Sequence, residues 1–94
     1  MNKAELIEAL SEKTGLKRQD AKNVLEAYID IVTERMTANE EITLVGFGAF
    51  IPRPQSERLA RNPKTGAPVT IPARTTVKFK PGKNLLDAMN AHLK

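Results

Sequence analysis

The feature that most limits what this chain can fold into is the run from Ala67 to Lys80, where two sets of side chains alternate. Val69, Ile71, Ala73, Thr75, Val77 and Phe79 fall on one side; Thr70, Pro72, Arg74, Thr76, Lys78 and Lys80 fall on the other. A period of two marks a strand. At about 3.3 Å per residue, the stretch from Val69 to Lys80 would span about 40 Å, roughly twice a typical strand. Just before it, Arg61-Asn62-Pro63-Lys64-Thr65-Gly66 carries turn chemistry. Asn62 and Pro63 suit the first two positions of a tight turn, and Gly66 supplies the freedom to close it. The sequence thus predicts a hairpin that outruns any body 94 residues can build.

Charge says what the hairpin needs. From residue 51 to 80 there are seven cations, Arg53, Arg58, Arg61, Lys64, Arg74, Lys78 and Lys80, against one acid, Glu57. A two-stranded ribbon is marginal in water, so a basic one calls for an anionic partner and stays mobile until it finds one. The same division runs through the whole chain. Residues 1 to 50 carry six basic and nine acidic side chains, whereas residues 51 to 94 carry nine basic and two acidic. Such asymmetry predicts a polyanion bound by the second half and a scaffold made by the first. With about a third of the chain committed to an arm, the remaining core is small for independent stability, and a second subunit is the expected remedy.

The scaffold is helical. Asn2 followed three residues later by Glu5 predicts a capping box, with Leu6, Ile7 and Leu10 forming an apolar face over residues 3 to 13. Thr14-Gly15-Leu16 breaks this helix. A second, from Arg18 to about Thr37, has Asp20 in its first turn and Ala21, Val24, Leu25, Tyr28, Ile31, Val32 and Met36 at helical spacing. A helix-turn-helix DNA reader is excluded on charge, because beyond Arg18 the second helix presents Asp20, Glu26, Asp30 and Glu34 against Lys22 and Arg35. Asn39 and Glu40 close the helix, residues 41 to 45 read as a short strand, and Gly46-Phe47-Gly48 turns the chain into the strand that begins Ala49-Phe50.

That Gly-x-Gly is not a dinucleotide loop, which must open a helix and needs a third glycine. Phe47, Phe50 and Phe79 cluster near the base of the arm and are expected in the core, anchoring sheet to helices. Pro52 and Pro54 lack donors on one strand edge, which must be unpaired there and guards against aggregation. Pro81-Gly82 ends the last strand. Residues 84 to 93 form a final helix with Leu85, Leu86, Met89 and Leu93 apolar, and Lys83 stands beside its N-terminus, where amides favour an anion.

The chain has no cysteine and one histidine, His92, near its end. Thiolate chemistry is excluded, no catalytic or metal-ligand constellation is present, and neither a cofactor, a small-molecule substrate nor a membrane is expected as a partner. The first residues interrupt their apolar positions with acids, unlike a signal peptide, so a cytoplasmic location is expected.

Taken together, Gly46-Phe47-Gly48-Ala49-Phe50, Arg61-Asn62-Pro63-Lys64-Thr65-Gly66, Ile71-Pro72-Ala73 and Phe79-Lys80-Pro81-Gly82-Lys83 resemble the HU/IHF family of bacterial histone-like DNA-bending proteins, over essentially the whole chain. The resemblance implies an α+β fold. Two N-terminal helices and one C-terminal helix would form the base of an intertwined homodimer or heterodimer, and a three-stranded antiparallel sheet would extend into a long β-ribbon arm.

Within a single domain spanning residues 1 to 94, residues 1 to 38 would be the helical dimerisation region. Residues 39 to 82 would hold the sheet with its arm at about 51 to 80, and residues 83 to 94 the last helix. The family counts among the architectural minor-groove binders, so the implied partner is double-stranded DNA, preferentially bent or distorted, in a nucleoid-associated role that condenses it. Pro63 would wedge between base steps, although turn chemistry favours proline there in any case.

Arg53, Arg58, Arg61, Lys80 and Lys83 match basic contact positions of the family, and Lys3 and Arg18 match positions for flanking DNA. Asn62 and Lys64 belong to the tip, and the alternation adds Arg74, Thr76 and Lys78. At position 55 the family commonly has arginine; Gln55 here, with Glu57 and Ala60 nearby, predicts weaker phosphate attraction along the arm. Little base-sequence preference is expected, because lysine and arginine on a ribbon read charge, groove width and deformability. Site-preferring bending of the IHF kind, or an arm that grips an acidic protein, are the competing readings.

Overall fold

In the computed structural model, which describes residues 1 to 93, helix α1 (Lys3–Thr14) begins on the expected capping box. Glu5 N–H donates to Asn2 Oδ1 at 2.9 Å, and Asn2 N–H donates to Glu5 Oε1 at 3.3 Å. Its end is equally defined. Gly15, at φ 77°, donates its N–H to Ser11 O at 2.9 Å, while Ser11 Oγ donates to Leu16 O at 2.6 Å. Orphan carbonyls at a helix end need such partners, and glycine takes the left-handed conformation at little steric cost.

Helix α2 (Arg18–Thr37) stops in the same physical way with another residue type. Asn39 sits at φ 65°, its N–H reaching Met36 O at 3.1 Å, and Glu40 N–H reaches Arg35 O at 2.8 Å. This is a Schellman motif. An ion pair from Arg35 Nη1 to Glu40 Oε2 at 3.1 Å joins the same two residues through their side chains.

Five strands follow: β1 (Ile42–Leu44), β2 (Gly48–Gln55), β3 (Arg58–Arg61), β4 (Pro68–Ile71) and β5 (Arg74–Pro81), and then helix α3 (Lys83–Asn90) with a 3-10 turn over Ala91–Leu93. The last helix is therefore one residue earlier at its start than the sequence predicts, and it tightens before residue 93. Strands β1, β2 and β5 form one antiparallel sheet in that order, and β3 pairs with β4 in a second ladder. The continuous strand expected through residue 72 does not form. Pairing lapses at Ser56 and Glu57 on one side and at Pro72 and Ala73 on the other, between the facing residues Gln55 and Arg74 and the facing residues Arg58 and Ile71. Pro72 offers no N–H to a ladder, which gives a physical reason for a break there. The alternation in the sequence continues across it because the two sides skip the same number of residues.

Pro52 and Pro54 fit the edge argument. Both lie within the ladder to β5, facing Val77 and Thr75, whereas β1 reaches no farther along β2 than Phe50. Their missing donors can face the open edge without breaking a pair.

Two glycines, Gly46 and Gly82, join the sheet to α3. Gly82 N–H donates to Phe47 O at 2.8 Å and Leu85 N–H to Gly46 O at 3.3 Å. Gly82 caps the helix with no side chain, so the Gly46 carbonyl supplies the acceptor that a serine or aspartate would otherwise offer. The approach is too close for any other residue at 82, where a Cβ would lie 2.7 Å from Gly46 O. Phe79 packs with tilted rings against both Phe50, with centroids 5.3 Å apart, and Phe47, at 5.6 Å.

By contacts the chain divides into two units, residues 1 to 34 and residues from 35 on. In the first, Ile7 and Ala21 are buried, and Lys3 Nζ pairs with Glu26 Oε2 at 3.2 Å between α1 and α2. In the second, Ala49 alone among the described apolar residues is buried. The three phenylalanines do not close a core by themselves, since Phe47 and Phe79 stay 47% and 38% exposed. No described helix is long and apolar enough to cross a membrane.

Candidate nucleic-acid interface

The β2–β5 ladder sorts its side chains by chemistry. Residues that face each other across an antiparallel pair share a face, and the facing pairs here are Ala49 with Lys80, Ile51 with Lys78, Arg53 with Thr76 and Gln55 with Arg74. Arg53, Arg74, Lys78 and Lys80 thus stand on one side with Gln55 and Thr76. The opposite side carries Phe50 with Phe79, Pro52 with Val77, and Pro54 with Thr75. Every charged residue of this ladder is exposed, and all of them are on a single face. None of these cations has an ion-pair partner among the described residues. Their charge is left for something outside the chain.

The far ladder is different. Arg58 faces Ile71 and Arg61 faces Pro68, three positions along β3, so the two arginines lie on opposite faces of the hairpin. A groove that receives this end is met by a cation on each side. Leu59, 76% exposed, and Thr70 share the face of Arg61. The charge pattern does not single them out, and only the register shows where they stand.

The tip is closed by four hydrogen bonds. Asn62 N–H donates to Ala67 O at 2.9 Å and Gly66 N–H to Asn62 O at 2.7 Å, a turn one residue wider than a β-turn. The Asn62 side chain accepts from Lys64 N–H at 2.9 Å, and Thr65 Oγ1 accepts from Ala67 N–H at 3.2 Å. Gly66 takes φ 72°. Arg61 Nη1 reaches Gly66 O at 3.5 Å. Local side-chain acceptors of this kind hold a turn without help from a core. Pro63 and Lys64 are left exposed at the apex of a preformed loop.

Of the remaining candidates, Lys83 is the first residue of α3, three positions beyond Lys80, where the cationic face ends. The amides there are only partly available to an anion, because Leu85 N–H is taken by Gly46 O. Lys3 is tied to Glu26, and Arg18 opens α2 beside Gln19 and Lys22. No group of three or more His, Cys, Asp or Glu able to hold a metal occurs among the described residues.

Comparison with known proteins decides the family. The family model described as "Bacterial DNA-binding protein" matches residues 1 to 90. The chain belongs to the bacterial DNA-binding protein family. As a member of it, the chain is 46% identical over 90 residues to DNA-binding protein HU-beta 2 of Neisseria meningitidis, covering 96% of this chain and 99% of that one. It is 47% identical to DNA-binding protein HU-alpha of Pseudomonas aeruginosa, over 96% and 100% of the two chains. Among solved structures, the Anabaena HU–DNA cocrystal superposes with a TM-score of 0.84 at 37% identity, covering 95% of this chain and 97% of that one. HU from Thermotoga maritima gives 0.67 at 30% identity, over 95% and 98%. The α+β fold of the family and the resemblance seen in the sequence are both borne out.

Proposed function

We propose that this protein is an architectural DNA-binding protein that grips double-stranded DNA with little sequence preference and bends and compacts it. One observation carries the reading: the β2–β5 register gathers the exposed Arg53, Arg74, Lys78 and Lys80 on one face and leaves no charged residue of this ladder on the other. The named partner of the Anabaena relative supports it. The arm enters the minor groove, Arg58 and Arg61 meet the two walls, and Pro63 at the fixed tip inserts between base steps. A rigid ring without a donor can replace lost stacking there. Arg53, Gln55, Asn62, Lys64, Arg74, Thr76, Lys78, Lys80 and Lys83 complete the contact surface, with Lys3 and Arg18 serving flanking DNA. The work is positional and needs no chemistry on the DNA. A cytoplasmic, nucleoid-associated place follows from it.

The same reading makes the working unit a dimer, with residues 1 to 38 and the root of the sheet as its interface and about 51 to 80 as the arm. Only Ile7, Ala21 and Ala49 are buried among the described apolar residues, while Val24, Ile29, Ile31, Phe47, Phe79 and Met89 are exposed. A second copy laid over these groups supplies the missing core, as expected for so short a chain.

Titration of labelled duplex DNA against salt tests the proposal. If two arms neutralise about six to ten phosphates, affinity falls by roughly 10³ to 10⁵ between about 50 and 200 mM salt. A flat response refutes the electrostatic grip.

A further inference from the structure

The far ladder of the arm keeps the register of the near one. Gln55 faces Arg74 before the lapse, Arg58 faces Ile71 after it, and two residues lie between on each side, so the two faces carry through in step. The face that holds Arg53, Arg74, Lys78 and Lys80 therefore continues into Leu59 with Thr70 and then Arg61 with Pro68. Its cations fall into two groups with a leucine between them. Leu59 is 76% exposed, whereas Ala60 and Ile71 on the reverse face are half-buried. Thr70 and Pro68, its neighbours on the facing strand, are exposed as well, so the hairpin itself gives Leu59 no cover.

A leucine left in water gains nothing from apolar transfer, and a partner that covers it supplies that gain. A second copy of the chain is a poor cover, because Arg58 and Arg61 beside Leu59 would be brought against other arginines, and like charges placed opposite each other repel. The fitting partner is a polyanion with apolar surface between its charges. Duplex DNA has that surface in the walls of its minor groove, where the C–H edges of deoxyribose rings lie below rims of phosphate. We infer that Leu59 packs on this sugar wall next to the contact made by Arg61, and supplies a part of the affinity that salt does not screen. Fixed on a paired rung rather than at the tip, it lies along the wall and leaves entry between base steps to Pro63. The inference rests on the reading of the arm as a minor-groove element, and adds to it a contact that attraction between lysine, arginine and phosphate does not create.

Salt dependence and heat capacity together provide the test. Full-length protein is titrated by fluorescence anisotropy against one labelled DNA duplex at several salt concentrations, and by calorimetry at several temperatures. Leu59→Thr, which keeps a residue suited to a strand and replaces the apolar end by a hydroxyl, is expected to bind roughly three- to thirtyfold more weakly at every salt concentration, the range for one apolar side chain losing its cover. The slope of log affinity against log salt stays that of wild type, and the heat-capacity change of binding becomes less negative. Leu59→Ile, apolar and equal in size, binds within about threefold of wild type, the tolerance of a volume-conserving exchange. Lys78→Ala, which removes a cation from the same face, instead makes the salt slope shallower by about one. Circular dichroism melts confirm that each variant is folded, and energy transfer between duplex ends shows the Leu59→Thr bend unchanged. Affinity of Leu59→Thr equal to or above that of wild type, a loss that disappears as salt rises, or a bend reduced as in Pro63→Ala overturns the inference while leaving DNA binding in place. Failure of wild type to bind the duplex overturns the DNA-binding reading and this inference with it.

Discussion

Replacing Gly82 by alanine sets two physical effects against each other, and the sign of the result tells which governs the junction of sheet and helix. The backbone at Gly82 is at φ −88° and ψ 169°, a conformation any residue adopts. On that ground alone the substitution would stabilise the fold by about 0.4 to 1 kcal/mol, by restricting the unfolded chain. Packing says the opposite. The added Cβ would lie 2.7 Å from Gly46 O, 2.8 Å from Gly46 C and 2.9 Å from Phe47 C, all backbone atoms that cannot swing aside. Relieving those contacts means separating the strands of chain joined by Gly82 N–H to Phe47 O and Leu85 N–H to Gly46 O. Overpacking costs about 1 to 3 kcal/mol, and two weakened hydrogen bonds add about 1 to 3 kcal/mol before relaxation. A net loss of about 2 to 4 kcal/mol is expected, which for a domain of this size lowers Tm by on the order of 10 to 30 °C. Thermal and urea unfolding of the full-length protein at one fixed concentration measures it. A Tm equal to or above that of wild type would show that the Gly46–Gly82 approach is not what fixes α3 to the sheet.

Further substitutions separate arm, tip and scaffold. Pro63→Ala is expected to keep duplex affinity within about tenfold, the span of one modest contact, while energy transfer between labelled duplex ends shows a smaller bend; unchanged bending removes the wedge. Asn62→Ala deletes the acceptor for Lys64 N–H. It should weaken binding to bent DNA roughly two- to tenfold with little change in Tm, since the bond is local and exposed. Asn2→Ala removes the side-chain acceptor for Glu5 N–H and keeps the backbone N–H that donates to Glu5 Oε1. It should cost about 1 kcal/mol in chemical denaturation and leave the salt dependence of DNA binding as it was.

What could be read from the sequence was whatever is settled within a few residues. Asn2 and Glu5, Gly15, and Asn39 before Glu40 all signal helix ends because a cap is a local bargain between neighbouring groups, and the helices start and stop accordingly. The tip was legible for the same reason. The lapse in pairing at Ser56, Glu57, Pro72 and Ala73 was not, because the alternation of Ile71, Ala73 and Thr75 runs through it unbroken. Pro72 was the available signal. Distance in the chain hid the rest. Nothing near Gly82 announces that Gly46, far earlier, will lend its carbonyl to the helix that follows, and nothing near Gln55 announces Arg74. The phenylalanines are a half success: they meet at the root of the arm, but one chain leaves two of them substantially uncovered.

The matched lapse on the two sides of the arm constrains how proteins of this kind can vary in reach. Inserting one amino acid on a single side would turn everything beyond it over, presenting Leu59 and Arg61 where Arg58 now stands. Growth or shrinkage that keeps every side chain on its face therefore comes in balanced increments of two residues on each side, each adding about 7 Å. Length polymorphism among relatives, or in designed longer versions, should follow that ruler.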